Sequence, residues 1–87
     1  MDRNSKIVFT EHAAYQIIER NISKKQIIYA ISKPDKIISQ SNQKFQAVKL
    51  TKKGNKKYLL IVIYSITNST KKVITAFLTT KIKKYLK

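Results

Sequence analysis

Apolar residues recur at helical spacing in the first third of the chain and at strand spacing after it. Lys6-Ile7-Val8-Phe9 is a short run of strand type. Behind it, Ala14, Ile17 and Ile18 fall on one face of a helix predicted over 10–21. Thr10 suits its N-cap, and Glu11 suits the positive end of its dipole. Asn21 is expected to close this helix in the left-handed conformation. Ser23-Lys24-Lys25-Gln26 has the form of a capping box, with Ile22 and Ile27 spaced as its hydrophobic staple. A second helix is therefore predicted over 24–32, burying Ile27, Ile28 and Ile31. Pro34 ends it, because the residue before a proline avoids helical backbone.

Beyond Pro34 the pattern becomes that of strands. Lys36–Ser39 reads as a short edge strand and Phe45–Thr51 as a loosely alternating one. Lys52-Lys53-Gly54-Asn55 supplies a turn. Tyr58–Ile66 is continuously apolar, as a central strand buried on both faces would be. Thr67-Asn68-Ser69-Thr70 makes a second turn and Val73–Thr80 a last strand. The tail from Lys81 is expected to form one helical turn docked through Ile82, Tyr85 and Leu86. The predicted class is α+β: β-α-α followed by an antiparallel β-meander, two helices packed on one face of a small sheet.

Length allows a single domain, 1–87, with one core; a chain of this size buries about 60–65% of its unfolded surface. The absence of cysteine excludes disulfides, iron–sulfur clusters and thiolate zinc sites, which suits a reducing, cytoplasmic setting. The opening Met-Asp-Arg-Asn-Ser-Lys leads into no long apolar stretch, so no signal peptide is expected. The longest apolar run, Tyr58–Tyr64, falls far below the ~20 residues of a membrane span. Charge changes the picture most. Nineteen Lys and Arg face four Asp and Glu, a net charge of +15. Such a field repels itself until an anion relieves it. Nucleic acid is the first expectation, an acidic protein the second and a membrane surface the third.

The first helix collects the scarce residue types. It holds the only histidine, His12, and one of only two arginines, Arg20, in a chain that otherwise writes positive charge as lysine. At 100° per residue, His12, Gln16, Glu19 and Arg20 span an arc of about 100° opposite Ala14, Ile17 and Ile18. They are expected to be able to reach a common ligand. An imidazole titrating near neutral pH can exchange a proton with a reacting hydroxyl. A guanidinium grips phosphate bidentately, as an ammonium does not. The plainer alternatives are a solvated polar face and an ion pair of Arg20 with Glu19 or Asp35.

In order along the chain stand FTEHA, ER-N-IS, KPDKII, YLLIVIY and VITAFLTTKIKKY. Together they resemble the RelE/ParE-like toxin superfamily, and within it a small family of uncharacterised domains opening F-T-x-H-A-x-x-R-M-x-E-R-G-I. Phe9, Thr10, His12, Ala13, Glu19, Arg20 and Ile22 fit that opening. Pro34 and Asp35 fit its middle, and Thr75, Lys84 and Tyr85 its end. Gln16 departs from the pattern by removing a cation. Asn21 replaces a glycine, a mild change at a left-handed cap.

The resemblance implies a metal-independent endoribonuclease of a toxin–antitoxin pair, using no cofactor. The RNA 2′-hydroxyl attacks the adjacent phosphate, a base takes its proton, cations stabilise the phosphorane and an acid protonates the leaving oxygen. In that reading His12 is base or acid and Arg20 the phosphate clamp. Lys49 stabilises charge, Thr75 hydrogen-bonds the phosphate, and Tyr85 donates a proton or stacks on a base. His12 and Arg20 would then share a groove with Thr75 and the tail around Lys81–Tyr85. The implied partners are RNA, ribosome-associated mRNA included, and an acidic antitoxin. Lysines 52, 53, 56 and 57 on the first hairpin, with Lys81, Lys83 and Lys84 on the tail, would carry the nucleic acid. One histidine and four scattered acids offer no spacing for a metal site. The alternative is a non-catalytic basic nucleic-acid-binding domain on the same scaffold; an interaction module for an acidic protein comes third.

Overall fold

The computed structural model describes residues 6–86. The order of elements is β1 (Lys6–Phe9), α1 (Glu11–Glu19), α2 (Lys24–Ser32), β2 (Lys36–Ser41), β3 (Lys44–Lys53), β4 (Lys56–Thr67), β5 (Thr70–Thr79) and α3 (Ile82–Leu86). One five-stranded sheet runs in the order β1-β5-β4-β3-β2. The α+β class holds, with one correction to the sheet. Strands β2 to β5 form an antiparallel meander, but β1 joins β5 in parallel, so the sheet is mixed. Two helices carry the chain from β1 at one edge to β2 at the other. Four alternating strands then bring β5 back in the direction of β1.

Local signals set the helix boundaries. Thr10 accepts a hydrogen bond from the Ala13 amide at 3.0 Å, capping α1. At the other end the Asn21 amide donates to Ile18 O and the Ile22 amide to Ile17 O. This is a Schellman closure, with Asn21 left-handed at φ 61°. Both bonds of the Ser23/Gln26 capping box are present at the start of α2. The link between the helices is thus fixed residue by residue.

Two apolar layers cover the sheet. Ala13, Ile17, Ile22, Ile27, Ala30 and Ile31 pack with Ala47, Leu60, Val62, Tyr64, Val73 and Ala76 on one face. On the other, Val48, Leu59 and Ile61 pack with Phe77 and with Ile82 and Tyr85 of α3. Successive residues of a strand point to opposite faces, so Leu59 and Leu60 serve different layers. That is why β4 is apolar from Tyr58 to Tyr64. The side chain of Leu86, expected to dock here, lies outside the described residues. Burial raises the pKa of the Tyr64 phenol above its ordinary 10.0.

Both helices sit rotated from the predicted faces. Ala13, not Ile18, is buried with Ile17, and Ile18 is 77% exposed. In α2, Ala30 replaces Ile28, which is 41% exposed. Alanine fills both positions in the helix-side layer, a placement that hydrophobicity alone does not reveal.

Candidate functional site

The rotation of α1 turns Gln16 and Arg20 towards β5. Arg20, the residue that ends the helix, donates through Nη1 to the Ala76 carbonyl at 2.8 Å. The same nitrogen lies 3.4 Å from Thr75 Oγ1 and 3.3 Å from Gln16 Oε1. The Thr75 hydroxyl in turn donates to Gln16 Oε1. Strand β1 pairs with β5 only as far as Val73, so beyond that point β5 is an edge. A one-residue bulge at Ile74 interrupts the register with β4 just before Thr75. Arg20, Gln16 and Thr75 are therefore one hydrogen-bonded cluster along that edge. Asp35, the other partner considered for Arg20, instead meets Lys49 at 3.6 Å and accepts from the Leu50 amide.

The remaining sequence-predicted residues do not join this cluster. His12 is exposed and makes no side-chain hydrogen bond among the described residues. It lies eight residues from Arg20, ~12 Å along the helix axis. Lys49 stands on the helix side of the sheet, held by Asp35 and by the Tyr29 ring 5.0 Å away. Tyr85 belongs to the opposite apolar layer, against Val48, Leu59 and Ile61. The expectation that it shares a groove with His12 and Arg20 is corrected by the sheet itself, which stands between them.

The lysines are more coherent. Lys52, Lys56 and Lys57 are exposed at the β3–β4 hairpin, and Lys81, Lys83 and Lys84 are exposed beside it. Thr79, the last residue of β5, pairs with Leu59 near the start of β4, which brings tail and hairpin to one end of the sheet. The side chain of Lys53 lies outside the described residues.

At this same end, on the helix side, a groove of about 290 Å³ opens between the α1–α2 corner and the sheet. Asn21 and Gln26 line it from the helices, and Thr51, Lys52, Tyr58 and Leu78 from the strands. Leu78 lies two residues beyond the carbonyl that holds Arg20, and Asn21 follows Arg20 directly. Sequence reading had no access to this set: Tyr58 looked like the start of a core strand, while Asn21 and Gln26 looked like caps. Only the hairpin, longer than the helices that cover it, leaves those residues facing a common space.

Among the described residues no three His, Asp or Glu side chains come together in a way that would hold a metal ion. No helix of the described residues is long and apolar enough to cross a membrane. Comparison with curated proteins and with solved structures finds no match. Residues 9–78 match a family described as a domain of unknown function, DUF4258. The match runs from the end of β1 to Leu78 and stops short of α3, leaving Lys84 and Tyr85 outside it. Covering most of the sequence as it does, this match means that the chain belongs to the DUF4258 family.

Proposed function

We propose that this chain is a basic, RNA-binding domain of RelE/ParE-like type, gripping the phosphate backbone at the lysine-rich end of its sheet. The observation that carries the reading is the gathering of Lys52, Lys56, Lys57, Lys81, Lys83 and Lys84 at one end of the sheet, where Lys52 also lines a groove. With a net charge of +15, counterion release from a polyanion is the largest favourable term on offer. An acidic antitoxin would compete for the same charge.

A second reading, metal-independent RNA cleavage, is favoured by one arrangement. His12, Gln16 and Arg20 form a row of one-turn steps along α1, and its far end is tied to Thr75. A 2′-hydroxyl held near His12 would have a proton acceptor in reach. Binding ranks first because Arg20 and Lys49 are already engaged within the protein and Tyr85 lies on the other face.

The test is fluorescence anisotropy with a labelled single-stranded RNA across a salt series. If about 6–10 phosphates are neutralised, affinity should fall roughly a thousandfold or more between 50 and 200 mM salt. Affinity that ignores salt, or a preference for an acidic peptide over RNA, would overturn the proposal. The same samples, incubated without metal and run on a gel, report cleavage.

A further inference from the structure

We propose that the groove between the α1–α2 corner and the β3–β4 hairpin is a slot for one unpaired nucleobase, selecting bases whose exposed edge is rich in hydrogen-bond acceptors. The inference rests on the RNA-binding reading and adds to it the recognition of a base.

Size and lining point to a base. At about 290 Å³ the groove lies at the lower end of small-ligand sites, room for a base and its ribose but not for a duplex. Tyr58 is half-buried and lies on the same strand face as Leu60, which anchors the helix-side core. Its ring is therefore a fixed wall, with Leu78 beside it. Unpaired bases are commonly held by stacking on such rings, whatever their sequence. Lys52 lines the groove from the hairpin, where a flanking phosphate would meet it.

Selectivity comes from Gln26. Its Oε1 accepts the Ser23 amide at 3.0 Å, and the Gln26 amide donates to Ser23 Oγ at 3.1 Å. The capping box therefore commits the carboxamide oxygen and orients the group. Its Nε2 has no partner among the described residues. A glutamine free to use both ends pairs with adenine, which presents a donor beside an acceptor. This one offers donors, and so suits guanine, with N7 and O6 adjacent, or a pyrimidine carbonyl. Asn21 brings a second amide from a backbone fixed by the Schellman closure.

The experiment is anisotropy at a fixed salt near 0.1 M. It uses a labelled oligoadenylate octamer and the same strand carrying guanine at its central positions. The parent should favour the guanine strand by about tenfold, a typical yield of specific base contacts. Tyr58→Ala should weaken binding roughly five- to a hundredfold, the yield of one base–aromatic stack, and Tyr58→Phe should not. Gln26→Glu keeps an oxygen for the Ser23 amide, and so the capping box, but removes the donors. It should abolish the guanine preference. Lys56→Gln should weaken both strands equally. Thermal melts check folding; should Tyr58→Ala unfold, Gln26→Glu and Tyr58→Leu decide. Equal binding of the two strands by the parent, or Tyr58 variants behaving like Lys56→Gln while salt-dependent binding persists, ends the slot and leaves RNA binding standing. No binding of either strand ends both.

Discussion

Removing Arg20 should lower the melting temperature by several degrees, although the side chain is exposed and the protein carries far too much positive charge. The 2.8 Å bond from Nη1 to the Ala76 carbonyl is the one that matters. The contacts at 3.3 and 3.4 Å are near the limit of useful hydrogen bonding. A hydrogen bond from a charged donor is worth ~1.5–3 kcal/mol when well shielded. Here the donor is exposed and water would replace it at the β5 edge, so the ordinary net worth of a hydrogen bond, ~1 kcal/mol, is the better figure. For a domain of this length that shifts the midpoint by about 4–8 °C. A competing effect has the opposite sign: removing any cation from a +15 chain relieves self-repulsion. Lys56→Ala, which removes an exposed cation with no such bond, measures that relief. Circular dichroism melts in low salt should therefore rank Lys56→Ala at or above the parent and Arg20→Ala clearly below it. Arg20→Lys, able to keep one bond, should fall between. If Arg20→Ala melts no lower than Lys56→Ala, the tie between α1 and β5 contributes nothing and the reasoning fails.

Other outcomes follow from the same geometry. If RNA is cleaved, His12→Ala should slow cleavage by about a hundredfold or more with affinity almost unchanged, read by gel and anisotropy on one preparation; equal cleavage would reduce His12 to a polar surface residue. Tyr85→Ala should destabilise the fold by ~1–3 kcal/mol through lost packing of α3, read by thermal melts. An unchanged midpoint would mean that this ring does not dock α3. The raised pKa of Tyr64 means that folding holds its proton more tightly than the unfolded chain does. Its contribution is complete below the ordinary value of 10.0 and is lost as pH rises through the folded one, so stability should fall as pH rises above 10.0. Tyr64→Phe should flatten that slope, and an unchanged slope would refute the assignment.

Much of the fold was legible because local chemistry and tertiary structure agree. Thr10, Asn21, Ser23 and Gln26 act as caps in the structure as they do in the sequence, and Pro34 follows the end of α2 closely. The change of period after Pro34 marked strands β2 to β5, and the unbroken run in β4 marked the strand covered on both faces. The parallel pairing of β1 with β5 was not legible, since direction depends on where a distant strand returns. Nor was the rotation of the helices. Ala13 and Ala30 are buried in the helix-side layer, whereas a hydrophobic count favours Ile18 and Ile28. Arg20 and Thr75, expected to share a groove, meet with Gln16 at the β5 edge, whereas Tyr85 of the tail lies on the other face. The space beside them is lined mostly by residues that looked structural.

Gln16 stands at the centre of this difference. Relatives sharing the opening pattern are expected to carry an arginine there. One turn before Arg20, a second guanidinium would repel the first, a destabilising arrangement at i,i+4 spacing. It would also supply no acceptor. Glutamine does the reverse: its Oε1 takes the Thr75 hydroxyl and lies beside Arg20 Nη1. The acceptor helps draw Arg20 Nη1 down onto the strand, where it bonds the Ala76 carbonyl. Glutamine at position 16 thus forms part of a clasp between helix and sheet. Seventeen lysines remain in the chain, so a glutamine at position 16 bears on the tie between helix and sheet more than on the overall charge.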